Sequence, residues 1–257
     1  MLQHAAVQQE LAMSSMPRAV TRFIASATAR PAWQFAAFGA IILGALSSPD
    51  AQASDICRIG DPANAGLGLA QIKPLKGIDL RKTEAPCPDD SGQCKSRLHL
   101  KKNEFVLTTS RITGPYVCVY VAGSSTYVGG YVKQADIAPR PPLPLKAWNG
   151  KWREAFGNWI KLRVEGDALE AEGEAFYPSA HPSEEEAPGG PHTGDMPPGP
   201  ATPHNNVAVF AYPDDHDPNS CRVIAALDKA VLIVSDNAND SGNCGGMNVR
   251  FSGDYYK

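Results

Sequence analysis

Six cysteines carry most of the reactive chemistry in this 257-residue chain: Cys57, Cys87, Cys94, Cys118, Cys221 and Cys244. A thiol serves as nucleophile, metal ligand or half of a disulfide, and spacing separates the three. A nucleophile at Cys244, beside Gly245-Gly246, needs a positioned imidazole base, and no histidine follows it. A zinc site wants C-x-x-C pairs or interleaved histidines, and the cysteines show neither. His181, His192 and His204 fall at spacings that match no ligand motif and read as solvated side chains. The run from Asp236 to Gly242 is rich in oxygen donors but lacks the alternating acids and closing Glu of a calcium loop. Gly245-Gly246 therefore reads as backbone that must turn or approach closely beside a disulfide. The chain has no G-x-S-x-G, phosphate loop, dinucleotide fingerprint or H-E-x-x-H. Its carboxylates are plentiful but no acid/base pair stands out. The expectation is a protein that recognises and does not break bonds, with no cofactor and no metal.

An even number of cysteines suggests disulfides, which persist outside the cytosol. The N-terminus agrees. Arg18, Arg22 and Arg30 precede an apolar stretch from Ala32 to Leu46, then Pro49 and the small-x-small triplet Ala51-Gln52-Ala53. These are the parts of a secretory signal peptide, expected to span 1–53, with translation from Met13 or Met16 as a way to shorten it. The chain would touch the membrane only during export and would be periplasmic or secreted. With 43% apolar residues, 20% charged residues and a net charge of -3, it reads as globular, without the basic surface of a nucleic-acid binder.

Two regions follow the signal. Four prolines within 139–145 mark a linker over 139–146. Residues 54–145 hold 12 Lys and Arg against 8 Asp and Glu, and residues 146–257 hold 9 against 17. The halves thus differ in sign, though solubility accounts for much of the acidic excess. If each half closes its own bonds, Cys221 pairs with Cys244 and three pairings remain for the other four cysteines. Cys87–Cys94 within one loop and Cys57–Cys118 form the favoured set. In the first half, strand signals recur at Gly77–Arg81, Leu98–Leu100, Phe105–Thr108, Tyr116–Val121, Thr126–Val128 and Gly130–Val132, with no sustained helical period.

Leu80-Arg81, a long loop, Lys102-Asn103-Glu104-Phe105-Val106, Tyr116-Val117-Cys118-Val119 and Gly130-Tyr131-Val132 with Ile137 resemble the bacterial SH3-type domain over roughly residues 75–138. Tyr116 and Tyr131 stand where that family commonly has Trp, and Asn103 where it commonly has Gly. The resemblance implies a small five-stranded barrel, within an SH3-type domain of residues 54–138, that binds cell-wall peptides or protein partners. It puts the candidate surface at Tyr116, Tyr127 and Tyr131, aromatics that give broad contact at low entropy cost. The alternative is that these rings pack between strands.

Residues 147–257 read as a second all-β domain, an antiparallel meander or barrel. Trp148 and Trp152 flank Gly150 in a bent first strand with their rings on a core. Ile160, Leu162 and Val164 alternate with Lys161 and Arg163, and Glu165-Gly166-Asp167 turns into the Ala/Glu-rich run 168–176. Residues 178–204, with 8 Pro and 4 Gly, are expected to form no core and to be mobile. Apolar runs resume at 207–212, 221–227 and 230–235, the last two joined by a compact turn. The Trp-x-Gly-x-Trp opening and the Cys-Gly-Gly-x-Asn-Val-x-Phe-x-Gly-x-Tyr end resemble a module of exported bacterial proteins. In some of these it is similar to the C-terminal part of proteins grouped with periplasmic lysozyme inhibitors. The combined expectation is an envelope binding protein whose partner is a cell-wall peptide or an envelope protein. The alternatives are an inhibitor of a lytic enzyme such as lysozyme, whose basic surface the acidic half would suit, and an envelope hydrolase.

Overall fold

A computed structural model describes residues 57, 66–125, 128–212, 220–238 and 244–257. The expected signal segment and Tyr127 lie outside the described residues. The described chain is all-β, as the sequence predicts, and its strands form two antiparallel curled sheets.

The first sheet holds β1 (Gly68–Ile72), β2 (Ile78–Arg81), β3 (Lys95–Leu100), β4 (Phe105–Thr113), β5 (Tyr116–Val121), β6 (Gly129–Lys133) and β7 (Ile137–Pro139). Their order is β3-β2-β6-β5-β4-β1-β7. The β4–β5 hairpin closes on Gly114-Pro115, with Thr113 opposite Tyr116 and Gly114 at φ 57°. That conformation suits glycine and matches the twist of the flanking strands. A 3-10 turn at Gln134–Asp136 reverses the chain after β6, so that Ile137 pairs with Ile72 of β1. Leu80, Leu100, Val106 and Val119 fill the interior of the curl.

The second sheet holds β8 (Gly150–Arg153), β9 (Trp159–Glu165), β10 (Ala168–Tyr177), β11 (His192–Asp195), β12 (Val207–Ala211), β13 (Arg222–Asp228), β14 (Val231–Asp236) and β15 (Gly253–Tyr256). Its order, β11-β10-β9-β8-β15-β14-β13-β12, is two meanders of four joined where Tyr256 of β15 pairs with Arg153 of β8. Gly166 and Lys229, both at positive φ, sit in the two-residue loops of β9–β10 and β13–β14. Trp148 and Trp152 are buried in the core, as their spacing predicts, and Trp152 Nε1 donates to Trp148 O at 2.9 Å.

The segment 178–204 departs from expectation. It supplies β11, which pairs with β10, and places Met196 and Ala201 in the second core. Composition hid this because the segment works through its small residues. A Cβ on Gly194 would fall on Cys244 O, and one on Gly246 would meet His192 Cβ at 2.9 Å. Glycine at both places lets β11 lie directly against the Cys-Gly-Gly backbone.

The described residues all belong to one compact unit. A third buried cluster is shared by the sheets: Leu69, Leu107 and Tyr120 from the first, Ile224, Ala226 and Ile233 from the second. The proline-rich stretch crosses beside it and is held by Asn206, whose side chain accepts from Leu143 N at 2.6 Å and donates to Pro141 O at 2.7 Å. Arg140 Nε donates to Asp228 Oδ1 at 2.7 Å across the same boundary. Three disulfides close Cys57–Cys118, Cys87–Cys94 and Cys221–Cys244, the pairs the sequence favours. Bonds of this kind mark a chain that matures in an oxidising environment. Among the described residues no helix is long and apolar enough to cross a membrane.

Candidate binding cleft

The 82–94 loop is tied at both ends. Lys82 N donates to Cys94 O at 2.8 Å, and the Cys87–Cys94 disulfide closes the loop. Asp89 accepts from Ser91 N at 2.8 Å, a local turn, and Arg81 of β2 donates to Ser91 O at 3.3 Å. This fixes Asp90 over the start of β5 and the end of β6. Its carboxylate accepts from Tyr116 Oη and from Lys133 Nζ, both at 2.8 Å, with Arg81 at 3.8 Å. Nearby on β2, Asp79 takes Lys95 Nζ at 2.8 Å and His99 Nδ1 at 2.9 Å. Asp79, Arg81, Asp90, Lys95, Tyr116 and Lys133 line an open cleft of about 450 Å³, and His99 stands behind Asp79 outside its lining.

Each carboxylate is tuned by its partners. The Lys133 ammonium, then the Tyr116 hydroxyl, hold Asp90 below the usual carboxylate range. Lys95, then His99, do the same for Asp79. Desolvation, then the Asp90 hydrogen bond, raise the Tyr116 phenol, and Asp90 raises Lys133. The cleft is therefore an ionised surface of both signs at neutral pH. It offers hydrogen bonds and charge, and beside it both ring nitrogens of His99 are engaged, by Asp79 and by Lys76 O at 3.0 Å.

The tyrosines singled out by the sequence are placed differently from a surface platform. Tyr116 and Tyr131 are buried among the strands, at 5% and 3% exposure, and Tyr116 reaches the cleft through its hydroxyl. The polar partners of Tyr116 were not legible. Asp79 and Arg81 read as the polar side of an alternating strand, and Asp90 as one residue of a turn-rich loop. The one usable signal was the Cys87–Cys94 spacing, which demands a closed loop.

The cysteine-containing tail resolves into structure. Cys244 is bonded to Cys221. Asp236, fully buried, accepts from Phe251 N, from Ser252 N at 2.9 Å and from Ala238 N at 3.1 Å. Burial raises its carboxyl, and the three N–H donors oppose that rise. Its oxygens are thus committed to backbone; residues 239–242 of the oxygen-rich run lie outside the described residues. Among the described residues no group of three or more His, Cys, Asp or Glu is arranged to hold a metal ion. No family model, curated protein or solved structure matches the chain.

Proposed function

We propose that this is an exported binding protein, periplasmic or secreted, that recognises a cell-wall peptide through the cleft between β2, β6 and the stapled loop. The observation that carries the reading is the gathering of Asp79, Asp90, Arg81, Lys95 and Lys133 around one opening. Cell-wall peptides carry free amino and carboxylate groups on a short chain, and such a ligand exchanges with ion pairs of both signs. The reading is supported by the resemblance of residues 75–138 to bacterial SH3-type domains. It is also supported by the three disulfides, which fit an envelope protein.

The test is calorimetric titration of the oxidised chain with a soluble stem peptide released from cell wall. Binding is expected, with affinity falling about tenfold or more in Asp90→Ala and in Lys133→Ala, since each removes a charge-assisted bond. A chain that ignores the peptide loses the cell-wall reading, and an envelope protein becomes the partner to seek.

A further inference from the structure

We infer a second binding site, on the second sheet, for a neutral saccharide chain. An open groove of about 640 Å³ runs between the start of β9, the end of β10 and the tail before β15. Its walls include Phe156, Phe176 and Tyr177, and Phe156 and Tyr177 are 65% and 42% exposed. Tyr212 and Tyr256 are exposed singly elsewhere, but Phe156 and Tyr177 stand in solvent beside one groove, on a chain that buries Trp148, Trp152, Phe210 and Phe251 almost completely.

The rings stand on a fixed frame. Asn158, at 6% exposure, accepts from Phe176 N at 2.8 Å and donates to Arg250 O at 3.2 Å, while its own carbonyl accepts from Glu154 N at 3.0 Å. One buried residue thus joins three walls, two through its side-chain amide and one through its backbone. Glu154 accepts from Phe156 N at 2.8 Å, and Ala180 N donates to Phe156 O at 2.9 Å, which sets the turn that presents Phe156. From the other side the buried Asp236 holds Phe251 N and Ser252 N. A site held by buried hydrogen bonds loses little entropy on binding.

The lining selects the ligand class. It carries one cation, Arg250, and one anion, Glu154, so it is neutral in sum. The surrounding half has 17 acids against 9 bases, which disfavours polyanions. Aromatic faces next to Asn248, Ser252 and Glu154 suit a molecule with apolar faces and hydroxyl edges. A sugar ring has both, and the groove's open form suits a chain passing through it. The site is separate from the charged cleft and does not depend on that cleft's ligand.

The experiment titrates the oxidised full chain with neutral hexasaccharides of β-1,4-linked N-acetylglucosamine, β-1,4-linked glucose and α-1,4-linked glucose, followed by calorimetry and by amide NMR. At least one is expected to bind, to move the amide signals of Phe156 and Tyr177, and to lose about tenfold in affinity in Phe156→Ala and Tyr177→Ala. Tyr256→Ala, at an exposed aromatic that does not line the groove, should bind as the parent does. Because the substituted side chains are exposed, folding is checked by an unchanged NMR spectrum away from the groove. No binding by any of the three sugars at about 10 mM, well beyond the roughly 1 mM scale of weak specific affinity, overturns the inference and leaves an apolar peptide segment as the occupant. Binding that Phe156→Ala leaves intact overturns it too. Neither result touches the stem-peptide titration, whose variants lie at the charged cleft, on the stapled loop and on β6.

Discussion

The two meanders of the second sheet solve burial in different ways. On β9, Ile160 and Leu162 are buried in the second core while Lys161 and Arg163 face outward, so one side of the strand is dry and the other wet. On β13, Val223, Ala225 and Leu227 join that same core, yet Ile224 and Ala226 on the opposite side are also buried, in the cluster shared with the first sheet. β5 repeats the pattern in the first sheet: Val117 and Val119 fill the curl, while Tyr116, Cys118 and Tyr120 enter the shared cluster. An antiparallel strand with water on one face alternates; one covered on both faces reads as an unbroken apolar run. The unbroken runs of β5 and β13 therefore mark the faces on which the two sheets meet.

The most severe way to break this contrast is Ile224→Asp. It buries an unpaired carboxylate between the sheets and should cost about 5 kcal/mol or more, enough to abolish cooperative unfolding. Arg163→Ala on the wet side of β9 should leave the urea midpoint unchanged within error. Equal losses at the two positions would mean that the outward side of β13 is no more protected than that of β9.

The same contrast explains what the sequence could and could not tell. Alternation and turn chemistry were sufficient for β9, β10 and the all-β class, because one buried face writes its period directly into the residues. The run at Arg222–Asp228 is compatible with any doubly buried strand, and nothing in it names the opposite face as the first sheet's partner. The segment 178–204 departs from its composition for a related reason: its proline content is a local signal, while the fit of Gly194 and Gly245 against each other's backbone is a tertiary one. The cleft was half visible. Tyr116 could be singled out by type, but Asp90 reaches it only because a stapled loop folds back across β5 and β6. Phe156 drew no notice in a short turn, since its exposure beside Tyr177 is a product of folding.

Disulfide removal sharpens the comparison next. Cys57–Cys118 spans 61 residues and both its ends lie in the shared cluster, whereas Cys87–Cys94 spans 7 within one loop. Loop entropy assigns about 4 kcal/mol to the first and about 2.5 kcal/mol to the second. Chemical denaturation of Cys57→Ser/Cys118→Ser and Cys87→Ser/Cys94→Ser should therefore separate them in that order. If the 61-residue bridge proved the cheaper to lose, the unfolded chain would retain structure around it.

The ion pairs give the smallest and finest test. Arg140–Asp228 crosses the boundary with side chains 21% and 15% exposed, and Lys161–Glu172 lies on the wet face at 42% and 43%. A double-mutant cycle should return about 1 kcal/mol or somewhat more for the shielded pair. Water and salt should leave the exposed pair no measurable coupling at 0.5 M salt. Its trace is in pH alone. Lys161 holds the Glu172 carboxyl below its ordinary value, so the folded state binds that proton more weakly than the unfolded chain does. The contribution is full above the ordinary glutamate value of about 4.3 and is lost as pH falls through the lower folded value. At low ionic strength the melting temperatures of the parent and Glu172→Gln should thus differ slightly near neutrality, and that Glu172-dependent difference should fade on acidification. A difference that grew in acid would mean that Glu172 is stabilised in its protonated form, and the outward face of β9 would then be less wet than its alternation implies.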